Sequence, residues 1–235
     1  MIEIKPLASS SRGNCYLVTD GITPLLLECG IHFSDIQRKT YFQMSSIAGC
    51  LVTHEHQDHG KAAKIIAKIG IDVYASQGTF DTLKLTGHRY IPVTALKRFN
   101  IGTWAILPFE AQHDAKEPLC FLLASQAGDK LLFATDTFYI KYRFKGLTHI
   151  MVEANYSADI LRENVARGFV PVEMKKRIVR SHFSLENLKW FLRSNDLKSV
   201  QELWLIHLSD GNSDAERFKR EIQEITGKPV FVATA

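Results

Sequence analysis

Apolar positions along this chain switch between a period of two and a helical period, and the switches mark the elements. Met1–Leu7 alternates and predicts a strand, the polar cluster Ser9-Ser10-Ser11-Arg12-Gly13-Asn14 predicts a turn, and Cys15–Thr19 and Pro24–Cys29 predict two further strands. Residues 47–53 (IAGCLVT) read as a buried strand, and 60–69 (GKAAKIIAKI) carries apolar residues at helical spacing with lysines between. Short strands follow around 71–75, 90–93 and 103–108, then a hairpin at 119–125 and 130–134, and an apolar run at 147–153. From 157 the pattern turns helical and basic, with helices at 184–194 and 213–225 and strands at 202–207 and 229–233. Strands in two sets, with helices between and after them, predict an α/β protein of packed, helix-covered sheets in one domain over 1–235.

Composition narrows the class. With 46% hydrophobic and 23% charged residues, the chain has a globular make-up, which argues against a disordered, collagen-like or coiled-coil protein. No apolar stretch reaches the roughly 18 residues that span a bilayer, and MIEIKPLASS lacks the basic and apolar regions of a signal peptide. The expectation is a cytoplasmic protein with no membrane partner. Cys15, Cys29, Cys50 and Cys120 form no CxxC pair and read as buried small hydrophobes. A net charge of +4 permits an anionic partner without demanding one.

The chemistry concentrates in Thr53-His54-Glu55-His56-Gln57-Asp58-His59-Gly60, between a predicted strand and a predicted helix. Three histidines and an aspartate within six residues are a metal-ligand density. His54 and His56, at i and i+2 in extended chain, point to the same side, and Asp58 and His59 follow where the chain turns toward the helix. Imidazole and carboxylate suit zinc, manganese or iron. One loop cannot fill two metal shells, so further ligands are expected at other strand ends. His113, Asp136 and His207 each stand just past an apolar strand, and a carboxylate at Asp136 could bridge two cations.

The HxHxDH motif formed by His54, His56, Asp58 and His59, followed in order by His113, Asp136 and His207, resembles that of the metallo-β-lactamase superfamily. The resemblance covers almost the whole chain and implies a four-layer αββα sandwich. Within the superfamily the chain is similar to the YycJ/WalJ (VicX) group, through Ser9–Asn14, His113-Asp114-Ala115 with Glu117-Pro118, and Thr135-Asp136-Thr137. That group implies a metal-dependent exonuclease acting on DNA, more than on RNA. Two divalent ions (zinc or manganese) about 3.5–4 Å apart would share a hydroxide nucleophile. His54, His56 and His113 would hold the first, Asp58, His59 and His207 the second, with Asp136 between them. Asp58 would also orient the hydroxide. Glu153, in Val152–Tyr156, and His182, in Ser181–Ser184, resemble the pair that assists the leaving group in tRNase Z. Lys175, Lys176, Arg177 and Arg180 would meet substrate phosphates, or form an ordinary solvated helix face. Lys141, Arg143 and Lys145, alternating with Tyr142 and Phe144, could track a nucleic-acid backbone or form an exposed strand.

Two positions depart from the pattern. Glu28 stands where the superfamily usually has Asp, and Phe138 where the group usually has Gly, which would narrow the mouth of the site. A phosphodiesterase for a small substrate such as a cyclic nucleotide is therefore the competing enzymatic reading. A non-catalytic, metal-stabilised regulatory module is the competing reading from another class.

Overall fold

The computed structural model describes residues 1–234. It contains thirteen strands in two sheets and eight α-helices among the described residues. The chain divides into two compact units. One holds residues 1–110 and 115–130 with Thr234, and the other holds 111–114 and 131–233.

In the first unit β1 (Glu3–Ser10), β2 (Gly13–Thr19), β3 (Pro24–Leu27), β4 (Gly49–Leu51), β5 (Val73–Ala75) and β6 (Tyr90–Pro92) lie in that order in one sheet. The strands β1, β2 and β3 are antiparallel, and β3 to β6 run parallel. Helices α1 (Phe33–Lys39), α2 (Gln57–Gly60), α3 (Ala63–Lys68) and α4 (Gln77–Leu83) alternate with the parallel strands. Ile36, Ala63, Ile66, Ala67 and Phe80 from these helices share a core with Leu26, Cys50, Val52 and Val73 of the sheet region. Burial of apolar side chains on this scale is the main force holding helices against a sheet, at about 25 cal/mol per Å². The same unit carries an antiparallel meander, β7 (Phe99–Ile101), β8 (Trp104–Glu110) and β9 (Leu119–Ser125). It is tied to the start of β3 by the Trp104 indole, which donates to Thr23 O at 2.8 Å.

The second unit is built on β10 (Lys130–Ala134), β11 (His149–Glu153), β12 (Glu202–Ile206) and β13 (Val230–Val232), from Leu131 onward. The pairings among these four are all parallel. β11 is buried at every position, as a parallel strand covered on both faces must be. Four helices belong to this unit: α5 (Ala158–Ala166), α6 (Val172–Ser181), α7 (Leu185–Arg193) and α8 (Ala215–Thr226). Leu161 and Val170 pack with Tyr156, Val165 and Ile178 beneath α5 and α6.

Most predicted elements stand within a few residues of their expected places, with three local differences. The turn expected over Ser9–Asn14 shrinks to Ser11 and Arg12, because Ser9 pairs with Asn14 and Ser10 with Gly13. The helix expected over 60–69 is two short helices, and the first, α2, already contains Asp58 and His59. Residues 141–145 form no strand. Tyr142 and Phe144 are half-buried, and Lys141, Arg143 and Lys145 are exposed. Helices α1 and α4 were not anticipated. The signal for α4 is local, since Ser76 caps it by accepting from Thr79 N at 3.1 Å. All four cysteines are buried free thiols. Among the described residues no helix is long and apolar enough to cross a membrane.

Candidate metal centre

In each unit most of the candidate residues sit at or just past the carboxyl ends of parallel strands, where an α/β sheet characteristically presents functional groups, whereas His113 follows the antiparallel β8 and His182 follows α6. Three of these positions carry a left-handed backbone on a residue other than glycine: Glu28 after β3, Asp136 after β10 and His207 after β12, with φ of 64°, 48° and 52°. Such a conformation costs about 1–2 kcal/mol per residue. It turns each side chain out of the strand alternation at the sheet end, and backbone strain of this kind clusters at functional sites.

In the first unit the histidine motif leaves β4 and enters α2. His54 Nδ1 is 2.9 Å from Thr53 Oγ1, and its Nε2 is 2.9 Å from His56 Nδ1. Two ring nitrogens thus converge, as the i, i+2 spacing predicts. His59 Nε2 lies 3.3 Å from Asp58 Oδ2, and the His54 and His59 rings are 4.2 Å apart. Glu28 supports this loop from beneath. Its fully buried carboxylate accepts from Thr53 N at 3.3 and 3.4 Å and reaches His59 Nδ1 at 3.4 Å. The longer side chain found in place of Asp therefore still contacts the histidine loop.

Asn14, also fully buried, donates through Nδ2 to Asp58 O at 3.2 Å and to Ser10 O at 3.0 Å. Sequence reasoning gave Asn14 no role, although it lies in the hairpin segment that carried the resemblance. Gly30 is packed so tightly under the loop that a Cβ there would lie 1.7 Å from Asp58 O.

In the second unit Asp136 is the hub. Its Oδ2 is 3.3 Å from His113 Nε2 and its Oδ1 is 3.4 Å from His207 Nε2, one oxygen toward each imidazole. The far nitrogens of both rings are anchored by protein groups. His113 Nδ1 lies 2.8 Å from Ser181 O, and His207 Nδ1 lies 3.1 Å from Asn155 Nδ2 and 3.4 Å from Glu153 Oε1. Anchoring one ring nitrogen is how proteins aim the other at a cation.

Glu153, at the end of β11, bonds His182 Nδ1 at 2.7 Å and accepts from Phe183 N at 3.0 Å and Thr137 N at 3.2 Å. Asp136, Glu153, His182 and His207 each offer a ligand atom, all within 4.8 Å of one another. Burial alone would raise the Glu153 carboxyl, but the His182 and His207 rings together outweigh it and the carboxyl is held below its usual range. Burial alone would lower His182, but Glu153 raises it above the usual imidazole value. For His113 burial prevails and lowers the imidazole.

The donor set of both units is imidazole nitrogen and carboxylate oxygen with no thiolate, which fits divalent zinc or manganese chemistry. The basic residues of α6 are arranged differently. Arg177 bonds Asp114 at 2.8 Å, which couples this helix to the residue after His113, and Lys176 bonds Glu173 at 2.9 Å. Lys175 is half-buried and Arg180 is exposed. Of the histidines outside the candidate site, His149 is buried against Thr148, whereas His32 and His88 are exposed.

Comparison with known proteins agrees with this chemistry. The family model for the Beta-lactamase superfamily domain matches residues 25–207. The chain is 28% identical, over 98% of its length and 91% of the relative's, to a Bacillus anthracis protein named exodeoxyribonuclease YycJ. Its fold is similar to that of the metallo-β-lactamase fold protein YhfI from Bacillus subtilis. The TM-score is 0.75 at 14% identity, covering 99% of this chain and 96% of that one. The human short-form tRNase Z is similar at a TM-score of 0.63 and 13% identity, over 100% of this chain and 96% of the other. From motif, ligand chemistry and fold together, the chain belongs to the metallo-β-lactamase superfamily, with its αββα fold, and is a metal-dependent hydrolase similar to the YycJ group.

Proposed function

We propose that the chain is a cytoplasmic phosphodiesterase with two divalent cations, and specifically a nuclease that shortens DNA from an end. The observation that carries this reading is the Glu153–His182 pair, 2.7 Å apart and clustered with Asp136 and His207. Lactam hydrolysis has no evident need of a buried, carboxylate-held imidazole beside the ligands. Phosphodiester cleavage has one, because its departing oxygen must take up a proton. The similarity to a protein named exodeoxyribonuclease supports DNA as the substrate class.

In this reading the whole chain acts as one hydrolase domain. His54, His56 and His113 would hold one cation and Asp58, His59 and His207 the other, with Asp136 serving both. Bound cations neutralise charge at the phosphate and supply an activated water. Asp58 accepts a hydrogen bond from the attacking water and aligns it. Glu153 fixes the His182 ring through Nδ1, so that Nε2 delivers a proton to the leaving oxygen. Lys175, Lys176, Arg177 and Arg180 attract the polyanion, with Arg177 also steadying the His113 segment through Asp114.

The test is a panel. Protein loaded separately with zinc and manganese is offered duplex DNA, single-stranded DNA, RNA, cyclic nucleotides and a simple phosphodiester. The expected result is stepwise loss of terminal nucleotides from DNA, with binding that weakens steeply as salt rises. Cleavage of cyclic nucleotides alone would transfer the reading to a small-substrate enzyme. Cleavage of none of these phosphodiesters would overturn it.

A further inference from the structure

The second unit contains a pocket that the proposed chemistry leaves unused. Tyr139, Ile140, Phe183, Asn187, Trp190 and Phe191 line it, and its volume is about 260 Å³. That is below the roughly 300 Å³ at which drug-sized sites begin, so it suits one planar group. Phe183 and Phe191 are buried and meet edge to face, with centroids 6.2 Å apart. Trp190 and Tyr139 are 53% and 40% exposed, with centroids 5.9 Å apart. Asn187 Nδ2 donates to Phe138 O at 3.0 Å, which pins α7 to the segment after Asp136. Asn187 keeps its amide oxygen and a second N–H for a ligand edge.

The pocket is mechanically tied to the candidate centre. Tyr139 is three residues past Asp136, and Phe183 follows His182. One carboxylate oxygen, Glu153 Oε2, accepts from both Thr137 N and Phe183 N. The group that holds His182 thus also fixes the chain entering both pocket walls. Beyond Tyr139 and Ile140 come the exposed cations Lys141, Arg143 and Lys145. Half-buried Phe144 packs at 6.4 Å against Phe191 of the pocket. The site therefore offers aromatic faces in a cationic setting, beside a centre read as acting on phosphate. A nucleotide carries both complements, a π-face and an anion, whereas an apolar peptide carries only the first.

We propose that this pocket is a nucleobase subsite. The base beside the scissile phosphate stacks on Trp190 and Tyr139, and its edge meets Asn187. At 5.9 Å the two rings already contact each other, so the base stacks against the pair rather than between them. The proposal rests on the phosphodiesterase reading, and its test separates the two.

Binding is measured by calorimetry with chelator present, using deoxyadenosine monophosphate and deoxyribose 5-phosphate, which lacks the base. The base-bearing probe should bind more tightly and quench Trp190 fluorescence. Trp104 is buried and Trp204 is stacked on Phe231, so neither should respond. Trp190→Ala should weaken binding of the base-bearing probe by about 5- to 150-fold, the usual worth of one stacked base. It should leave the other probe unaffected, and Trp190→Phe should retain most of the affinity. With an oligonucleotide and its abasic counterpart as substrates, Trp190→Ala should lower kcat/KM on the first only. Equal binding of both probes, or equal effects of the variant on both substrates, overturns the subsite. If wild-type protein cleaves neither substrate, the phosphodiesterase reading fails and the binding result alone decides the subsite.

Discussion

Replacing Glu153 by Gln removes one charge while keeping the shape, and the structure sets what that costs. Oε2 accepts from two backbone donors, Thr137 N and Phe183 N, and Oε1 faces two ring nitrogens, His182 Nδ1 and His207 Nδ1. Glutamine has one accepting end and one donating end. With its NH2 toward Thr137 and Phe183, two buried backbone donors lose their acceptor. With its NH2 toward the histidines, both Nδ1 atoms must become acceptors, which places the protons on the Nε2 atoms. Each buried group left without a partner costs about 1–3 kcal/mol, and breaking a buried charged pair about 3–5 kcal/mol. Glu153→Gln should therefore destabilise the metal-free protein by about 3 kcal/mol. The assay is urea unfolding in chelator at neutral pH, read by circular dichroism, with histidine nitrogen NMR reporting the His182 tautomer. A midpoint change worth under about 0.5 kcal/mol, together with an unchanged His182 spectrum, would refute the reasoning.

Three further outcomes follow from other parts of the molecule. Gly30→Ala forces Asp58 O and His59 N away from a Cβ that would sit 1.7 and 2.6 Å from them. The histidine loop should shift by about 1 Å, with a loss of about 100-fold in turnover and weakened metal binding in a calorimetric titration; unchanged metal affinity would contradict this. His182→Ala should keep full metal content by elemental analysis and lose most turnover, whereas unaltered turnover would remove its role as acid.

Arg217 bonds Asp159 at 2.6 Å and Glu221 at 2.7 Å. The nearby Ser157 hydroxyl and then Arg217 hold Asp159 well below the usual carboxylate range, and Lys189 and then Arg217 lower Glu221. Folded-state values below the unfolded ones give stability that is present above about pH 4 and lost as pH falls through the folded values. Because the network is partly exposed, Arg217→Met should cost only about 0.5–1 kcal/mol at pH 7 and about half as much at pH 2.5, where the unfolded carboxylates are protonated and folded Asp159 is not. A loss equal at both pH values, read by urea unfolding, would contradict the assignment.

The candidate histidines and aspartates and most strands were legible because both leave local signals. His54-x-His56-x-Asp58-His59 is a dense motif, and β10, β11 and β12 are apolar runs ending two residues short of Asp136, at Glu153 and one residue short of His207. The supporting groups were not legible, because their work depends on long-range approach. Asn14 meets Asp58 across 44 residues, and His113 meets the Ser181 carbonyl across 68. A backbone carbonyl has no sequence signature, and neither does a left-handed Glu28, Asp136 or His207. Arg177 read as a free phosphate contact from its charge run, and its bond to Asp114 is again a tertiary matter. The short α1 and β7 fell below the length at which periodicity can be counted, at seven and three residues.

The proposal that most needs testing is the one that two divalent cations are bound, with Asp136 serving both. Metal content per chain, measured by elemental analysis of wild-type and Asp136→Ala protein after saturation with zinc or manganese and removal of the excess, tests it most directly. The account predicts two ions per chain for wild type and loss of at least one in the variant. A wild-type protein that saturates below two, or a variant that retains both, would contradict it.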